Sequence, residues 1–399
     1  MKRRTFIRNT TLGAVGTLFI PEFLHGMDWV DLQKAAPFRK LIVIQLSGGN
    51  DGLNTIVPFE NDTYYHLRPK IGIGKKEVIR LSDQLGLNPA MDNFGKLYES
   101  GLVSILNSVG YPNPNRSHFR SMDIWHTAVD SNQYSKTGWL GRYMDAYCSN
   151  SHSMLELDSQ LSLSLHGVDR NGLAIQNSDG LYRALRGDYF KRVIETAGSD
   201  NLHEDNQGYL YKTLIQTNQS ARYLAETHTV KTNAVEFPKS KLGKKLGEVA
   251  QFVRSGFSTQ VYYVSHNGFD SHVGQRNKQD RLLKDYSDSV YALVESLKQG
   301  GELDNTLIMT FSEFGRRVKE NGSAGTDHGK ANNLFLIGNN LKKPGIYNEA
   351  PDLTQLDDGD ISHKIDFRNV YADIISEWFQ RDTAQIISVD FSSLGIIGA

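Results

Sequence analysis

The stretch from Asn305 to Gly329, NTLIMTFSEFGRRVKENGSAGTDHG, constrains the fold more than any other part of the chain. Thr306 to Phe311 is a short, mainly apolar run without helical spacing, the signature of a buried strand. It stops at Ser312, Glu313, Phe314 and Gly315, and a polar, glycine-rich loop then carries Thr326, Asp327, His328 and Gly329. A carboxylate at a strand end, followed by an adjacent Asp-His pair, supplies the oxygen and nitrogen ligands that divalent metals take. The same residues also serve as plain turn and loop groups, with Glu313 as a cap. Only repetition of the design elsewhere separates these two roles.

The design does repeat. Phe38 to Leu46 reads as a strand and runs directly into Ser47-Gly48-Gly49-Asn50-Asp51-Gly52. Its glycines allow a sharp turn and leave Asp51 at the strand end, either as a turn residue or as a ligand. Leu102 to Val109 is a second strand, followed by Tyr111-Pro112-Asn113-Pro114-Asn115-Arg116-Ser117-His118. Beyond the prolines a helix is expected to start near Ser117, with Met122, Trp125 and Ala128 on one side. Ser117 is then an N-cap or, at a helix N-terminus that favours anions, a nucleophile beside the Arg116 fork. Gln260 to Val264 is another strand, and after it Asp270 and His272 stand two apart, on one side of an extended chain. A helix over Asp280 to Gln299 and the strand ending at Glu313 complete a β-α-β crossover. Asn333 to Ile337 closes the strand series, and a last helix carries Val370, Ile374 and Trp378. Lys241 to Gly256 has helical spacing, and Thr137 to Tyr143 leads into a helix holding Met144 and Ala146. Between these, from about Asn150 to Pro238, short strand-like runs (Leu161 to Leu165, Leu173 to Ile175) precede helical stretches around Tyr189 and Tyr209 to Thr227. That segment, about 150–240, reads as a cap-like insertion that sets substrate choice.

Parallel strands bring their ends to one rim, where distant residues converge. The expected fold is therefore α/β, with a doubly wound, mostly parallel sheet over 37–399. Residues 1–36 carry a different message: Arg3-Arg4-Thr5-Phe6-Ile7-Arg8 before the short apolar stretch Thr11 to Ile20 resembles a twin-arginine export signal. The stretch is too short for a stable transmembrane span, so the expected location is the periplasm or cell envelope. A formal net charge of -1 gives no reason to expect a nucleic-acid partner. The single cysteine, Cys148, rules out an internal disulfide framework and a cysteine-based zinc knuckle.

The motifs GGNDGLN, PNRSHF, NGFDSHVGQ, SEFGRR and TDHG, behind that signal, resemble a bacterial family known as domain of unknown function 1501. The resemblance runs from about residue 38 to the C-terminus, and it places the chain beside the alkaline phosphatase and sulfatase superfamily. It implies that superfamily's type of α/β core, two divalent metal ions (zinc, manganese or calcium) and a Ser or Thr nucleophile. By position it implies Ser117 as nucleophile, Asp51 as first-strand ligand, Asp270 and His272 as ligands of one metal, and Asp327 with His328 as the Asp-His ligands. Glu313 either takes the place of the usual strand-end Asp or yields that role to Asp327. A third histidine is expected late in the chain, where His363 is available. A formylglycine sulfatase is excluded, because Pro112 stands where the modified residue belongs.

Two functions follow. One is a metal-dependent hydrolase of phosphate or sulfate esters, acting on a small anionic ester or a polysaccharide, with Ser117, Arg116 and His118 as catalytic candidates and Asp51, Asp270, His272, Glu313, Asp327 and His328 as metal candidates. The other is a non-catalytic exported binding or scaffold protein that engages an envelope partner.

Overall fold

The computed structural model describes residues 38–176, 235–387 and 392–398. The export signal, the helical stretches around Tyr189 and Tyr209 to Thr227, and most of the cap-like insertion lie outside the described residues. Contacts gather the described residues from Arg39 onward into one unit.

Apolar residues on both sides of a strand demand a covered sheet, and the chain supplies one. We label its strands β1 (Lys40–Ser47), β2 (Val103–Gly110), β3 (Met154–Glu156), β4 (Leu173–Ala174) and β5 (Val261–Asn267). The remaining strands are β6 (Thr306–Phe311), β7 (Asn332–Ile337), β8 (Gly345–Ile346) and β9 (Ile365–Asp366). Their order is β8-β2-β7-β6-β1-β5-β3-β4, with β9 also pairing β2. All pairs are parallel except those made by β7, which runs against both β2 and β6.

Among the described residues, six helices pack on this sheet: α1 (Asp92–Glu99), α2 (His118–Thr127), α3 (Trp139–Tyr147), α4 (Lys241–Arg254), α5 (Gln275–Gly300) and α6 (Phe367–Asp373). Alternate residues of β1 part to opposite faces, as strand geometry requires. Ile42, Ile44 and Leu46 join Phe94, Leu246 and Leu293 from α1, α4 and α5. Leu41 and Val43 join Trp125, Trp139 and Tyr371 from α2, α3 and α6. The expected doubly wound α/β architecture, largely parallel, is what the chain adopts. Leu161 to Leu165 departs from expectation. Instead of a strand, Leu163–Leu165 is a 3-10 turn, and the buried Glu156 carboxylate accepts the Ser162 N–H at 2.6 Å just before it.

The rim is set by register. Ser47 of β1 stands opposite Asn267 of β5, and Gln45 of β1 opposite Phe311 of β6, so three loops leave the sheet side by side. Because β7 is antiparallel, its first residue, Asn332, lies at that same edge, opposite Val109 of β2. The long loop from β6 therefore returns to the rim it left, carrying Asp327 and His328 with it.

Candidate metal centre

The strand ends are stitched together before any candidate ligand is placed. Ser312 Oγ donates to the Leu46 carbonyl at 2.6 Å and accepts the Asn50 N–H at 2.8 Å. The Gly48 N–H donates to Glu313 Oε1 at 2.8 Å. Gly48 has φ +118, and a Cβ there would lie 2.3 Å from the Asp270 nitrogen, so only glycine permits this approach. Arg316, buried in the SEFGRR motif, clasps the whole rim. Its Nε donates to the Gly49 carbonyl at 2.6 Å, Nη1 to the Thr326 carbonyl at 2.9 Å and Nη2 to Asp270 Oδ1 at 2.8 Å.

Helix α2 is fixed from below. Trp125 stacks between Phe311 and Phe367, at centroid distances of 4.8 and 4.2 Å, and Ser121 Oγ donates to the Glu313 carbonyl. Burying a side chain of this size contributes about 2–3 kcal/mol. The anchored helix presents His118 at its first position.

Three histidines meet at this rim, each held from behind. His118 Nδ1 lies 3.0 Å from Glu313 Oε1, His272 Nδ1 lies 3.2 Å from Asp327 Oδ1, and His328 Nδ1 lies 2.8 Å from the Arg116 carbonyl. A carbonyl and carboxylates accept, so each Nδ1–H donates, and in the neutral ring each Nε2 keeps its lone pair. All three Nε2 atoms face Asp270. His272 Nε2 is 3.0 Å and His328 Nε2 3.4 Å from Asp270 Oδ1, while His118 Nε2 is 3.7 Å from Oδ2. The Nε2 atoms of His272 and His328 stand 3.0 Å apart.

That spacing fits a cation. Two ligands at about 2.0–2.1 Å from a tetrahedral zinc stand about 3.3 Å apart, close to the separations within Asp270, His272 and His328. Two nitrogen lone pairs at 3.0 Å repel unless a proton or an ion lies between them. The His118 Nε2 atom is buried with no hydrogen-bond partner, a further donor with its lone pair unclaimed. His118, Asp270 and His328 also group as a potential ligand set, with donor atoms within 4.8 Å of one another.

The charges are arranged for the same purpose. Partial burial pushes the Asp270 carboxyl up, but the Arg316 hydrogen bond and charge outweigh it and hold the group at about 2. Hydrogen bonding to Glu313 raises His118 above its ordinary value, against partial burial. Burial lowers His328, and the His272 contact lowers Asp327.

The structure thus sorts the expected residues. Asp270, His272 and His328 come together. Asp327 and Glu313, expected as ligands, stand behind histidines as acceptors. His118, expected only as catalytic, joins the cluster, whereas His363 lies in a separate 170 Å³ cavity with Lys330 and Asp357. Asp51 stands apart from the cluster. One oxygen accepts the Leu53 N–H at 3.2 Å, and the other takes Arg68 at 2.6 Å together with Gln275. Both oxygens are consumed in the interior, so Asp51 caps a turn and pairs a buried charge. Among the described residues, one group of donors gathers in this way. Ser117 is exposed and caps α2 without a side-chain hydrogen bond. The Arg116 side chain turns to Asp358, at 3.0 Å, and to Asp360. Arg316 was not anticipated. Its only signal was the doubled arginine placed directly after a strand-end Glu-Phe-Gly.

The model of a family described as "Protein of unknown function (DUF1501)" matches residues 93–377. No curated protein sequence matches the chain. Among solved structures, the PsFucS1 sulfatase from Pseudoalteromonas sp. is 11% identical with a TM-score of 0.36, covering 88% of this chain and 69% of its own. The C-terminal periplasmic domain of EcEptC from Escherichia coli, in complex with zinc, is 8% identical with a TM-score of 0.37, over 76% and 73%. A protein in the alkaline phosphatase superfamily from Vibrio parahaemolyticus is 8% identical with a TM-score of 0.31, over 76% and 61%.

Proposed function

The chain belongs to the DUF1501 family, and from that premise and the geometry of its rim we propose that it is a metal-dependent hydrolase of phosphate or sulfate esters in the cell envelope. One observation carries the reading: three histidines, each oriented through Nδ1, turn Nε2 toward a single ionised aspartate. Such outer partners fix the tautomer and orientation of metal ligands.

Asp270, His272 and His328 would hold the ion. A divalent ion bound there supplies Lewis-acid polarisation of an ester oxyanion. The remaining work falls to the chain. Arg316 keeps Asp270 ionised at neutral pH, so the cluster retains a negative charge for the cation. Asp327 and the Arg116 carbonyl keep the lone pairs of His272 and His328 directed inward. His118, backed by Glu313 and farther from Asp270 than the other two rings, accepts the proton of the attacking hydroxyl, from Ser117 or water, and gives it to the departing alkoxide as the ester bond breaks. Ser117, next to it, places a hydroxyl at the N-terminus of α2, where backbone N–H groups favour an anion. The substrate is a small anionic ester or an ester carried on a polysaccharide. Arg3 and Arg4 support export of the folded chain.

Elemental analysis of the purified protein, paired with hydrolysis of p-nitrophenyl phosphate and p-nitrophenyl sulfate, tests the reading. About one zinc, manganese or calcium per chain is expected in the wild type, and none in His328→Ala. Equal metal in both proteins refutes the site. Metal without hydrolysis of any ester transfers the fold to the binding-protein reading.

A further inference from the structure

The candidate centre is flanked by cations that the chain itself has neutralised. The hairpin formed by Leu356–Asp357 and Asp360–Ile361 carries three aspartates, and each meets a basic residue from a segment that also bears a cluster histidine. Asp357 pairs with Lys330 at 2.6 Å, two residues after His328. Asp358 pairs with Arg116 at 3.0 Å, two residues before His118, and with Arg317 at 3.5 Å. Asp360 pairs with Arg116 and, at 3.6 Å, with Arg317.

The two carboxylates shared by the arginines are not equivalent. The Asp360 side chain is fully buried, so it is a fixed counter-ion, whereas the Asp358 side chain is 72% exposed at the hairpin tip. Two guanidinium groups against one fixed carboxylate leave a positive charge, and Asp358 cancels it from the solvent side. Arg116 keeps a buried Nε–H with no partner, a donor still free in the fork. Guanidinium pairs bind tetrahedral oxyanions and carboxylates by the same fork geometry.

We infer that Arg116 and Arg317 form an anion seat beside the candidate metal centre, and that Asp358 is its exchangeable occupant. The ligand that displaces Asp358 is a phosphate or sulfate group. The inference rests on the hydrolase reading for one point, that this group belongs to the substrate ester. Otherwise it stands on the hairpin alone. Asp358 then acts as a self-supplied competitor, and removing its charge opens the seat.

A purely structural role for Asp358 predicts the opposite sign, which makes the test decisive. Inorganic phosphate and inorganic sulfate are titrated calorimetrically into wild-type protein, Asp358→Asn and the double variant Asp358→Asn with Arg317→Gln. An exposed ion pair is a weak competitor, so Asp358→Asn is expected to bind the anions about fivefold more tightly, with the gain lost in the double variant. Anion affinity unchanged or weakened in Asp358→Asn overturns the inference, as does a gain that survives Arg317→Gln. Melting temperatures of all three proteins verify folding, and Asp358→Ser replaces Asp358→Asn if that variant fails to fold. Ester hydrolysis is read separately, so tightening without hydrolysis leaves the seat intact while removing the enzyme around it.

Discussion

Asp51 and Asp270 follow neighbouring parallel strands, β1 and β5, and the sequence offers both as ligands. Their surroundings make them different groups. Asp51 is sealed with Arg68, whose side chain is likewise buried, and with Gln275 and the Leu53 N–H. Asp270 is half-exposed and shares its oxygens between Arg316 and three histidines. Glu156, ending β3, is a third case. It is buried while the nearby Lys245 goes to Asp158, and burial pushes it up to about 7. A strand-end carboxylate is structural when a permanent charge closes over it, and available for chemistry when its neighbours are titratable and open. Proton uptake marks the one left without a cation.

The largest effect expected from this contrast comes from Arg68→Ala. Removing one partner of a buried ion pair costs about 3–5 kcal/mol. Urea denaturation should show that loss while metal content stays at the wild-type level. A loss of metal together with stability would erase the distinction between the two aspartates. Asp327→Asn sharpens the other side of it. With the His272 tautomer no longer fixed by a carboxylate, metal affinity should fall about 10- to 100-fold, read by competition with a chelating dye. Denaturation midpoints should hardly move, since Asp327 lies on an exposed loop.

The third effect belongs to Glu156 and is confined to a pH window. Its folded-state value is above the unfolded one, so between about pH 4.5 and 7 the folded chain holds a proton that the unfolded chain has released. This contribution is present at low pH and is lost as pH rises through 7. Glu156→Gln should therefore flatten the stability profile over that window and stabilise the protein at pH 8. A profile that keeps its slope in the variant would show that another group carries it.

The strands were legible because a doubly covered sheet demands continuous apolar runs, and Lys40–Ser47 and Thr306–Phe311 are such runs. The rim was legible for the same reason, since glycines and polar residues follow each run at once. Pairing across long separations was not. Arg68 reaches Asp51 only after the chain has passed through the helix Asp62–Leu67, and no local pattern announces it. The sequence likewise leaves the direction of β7 open, yet that direction decides whether Asp327 and His328 return to the rim. His118 was legible as a residue and not as a ligand candidate, because its partners Glu313 and Asp270 come from two other strand ends.

The reversed strand β7 has a consequence for how such a protein can change over generations. The loop from β6 leaves and re-enters the sheet at one edge, and its neck is closed where the Gly315 N–H meets the Lys330 carbonyl at 3.0 Å and the Gly329 N–H meets the Gly315 carbonyl at 2.8 Å. Beyond that neck, doubling the length of a flexible loop costs only about 0.6 kcal/mol in closure entropy. Length changes at the exposed Gly322 therefore leave both strands where they are. His328 stands at the neck, and the exposed tip stands beyond it. The tip can be reshaped without moving the cluster, which is the structural condition for one scaffold to acquire new ligands.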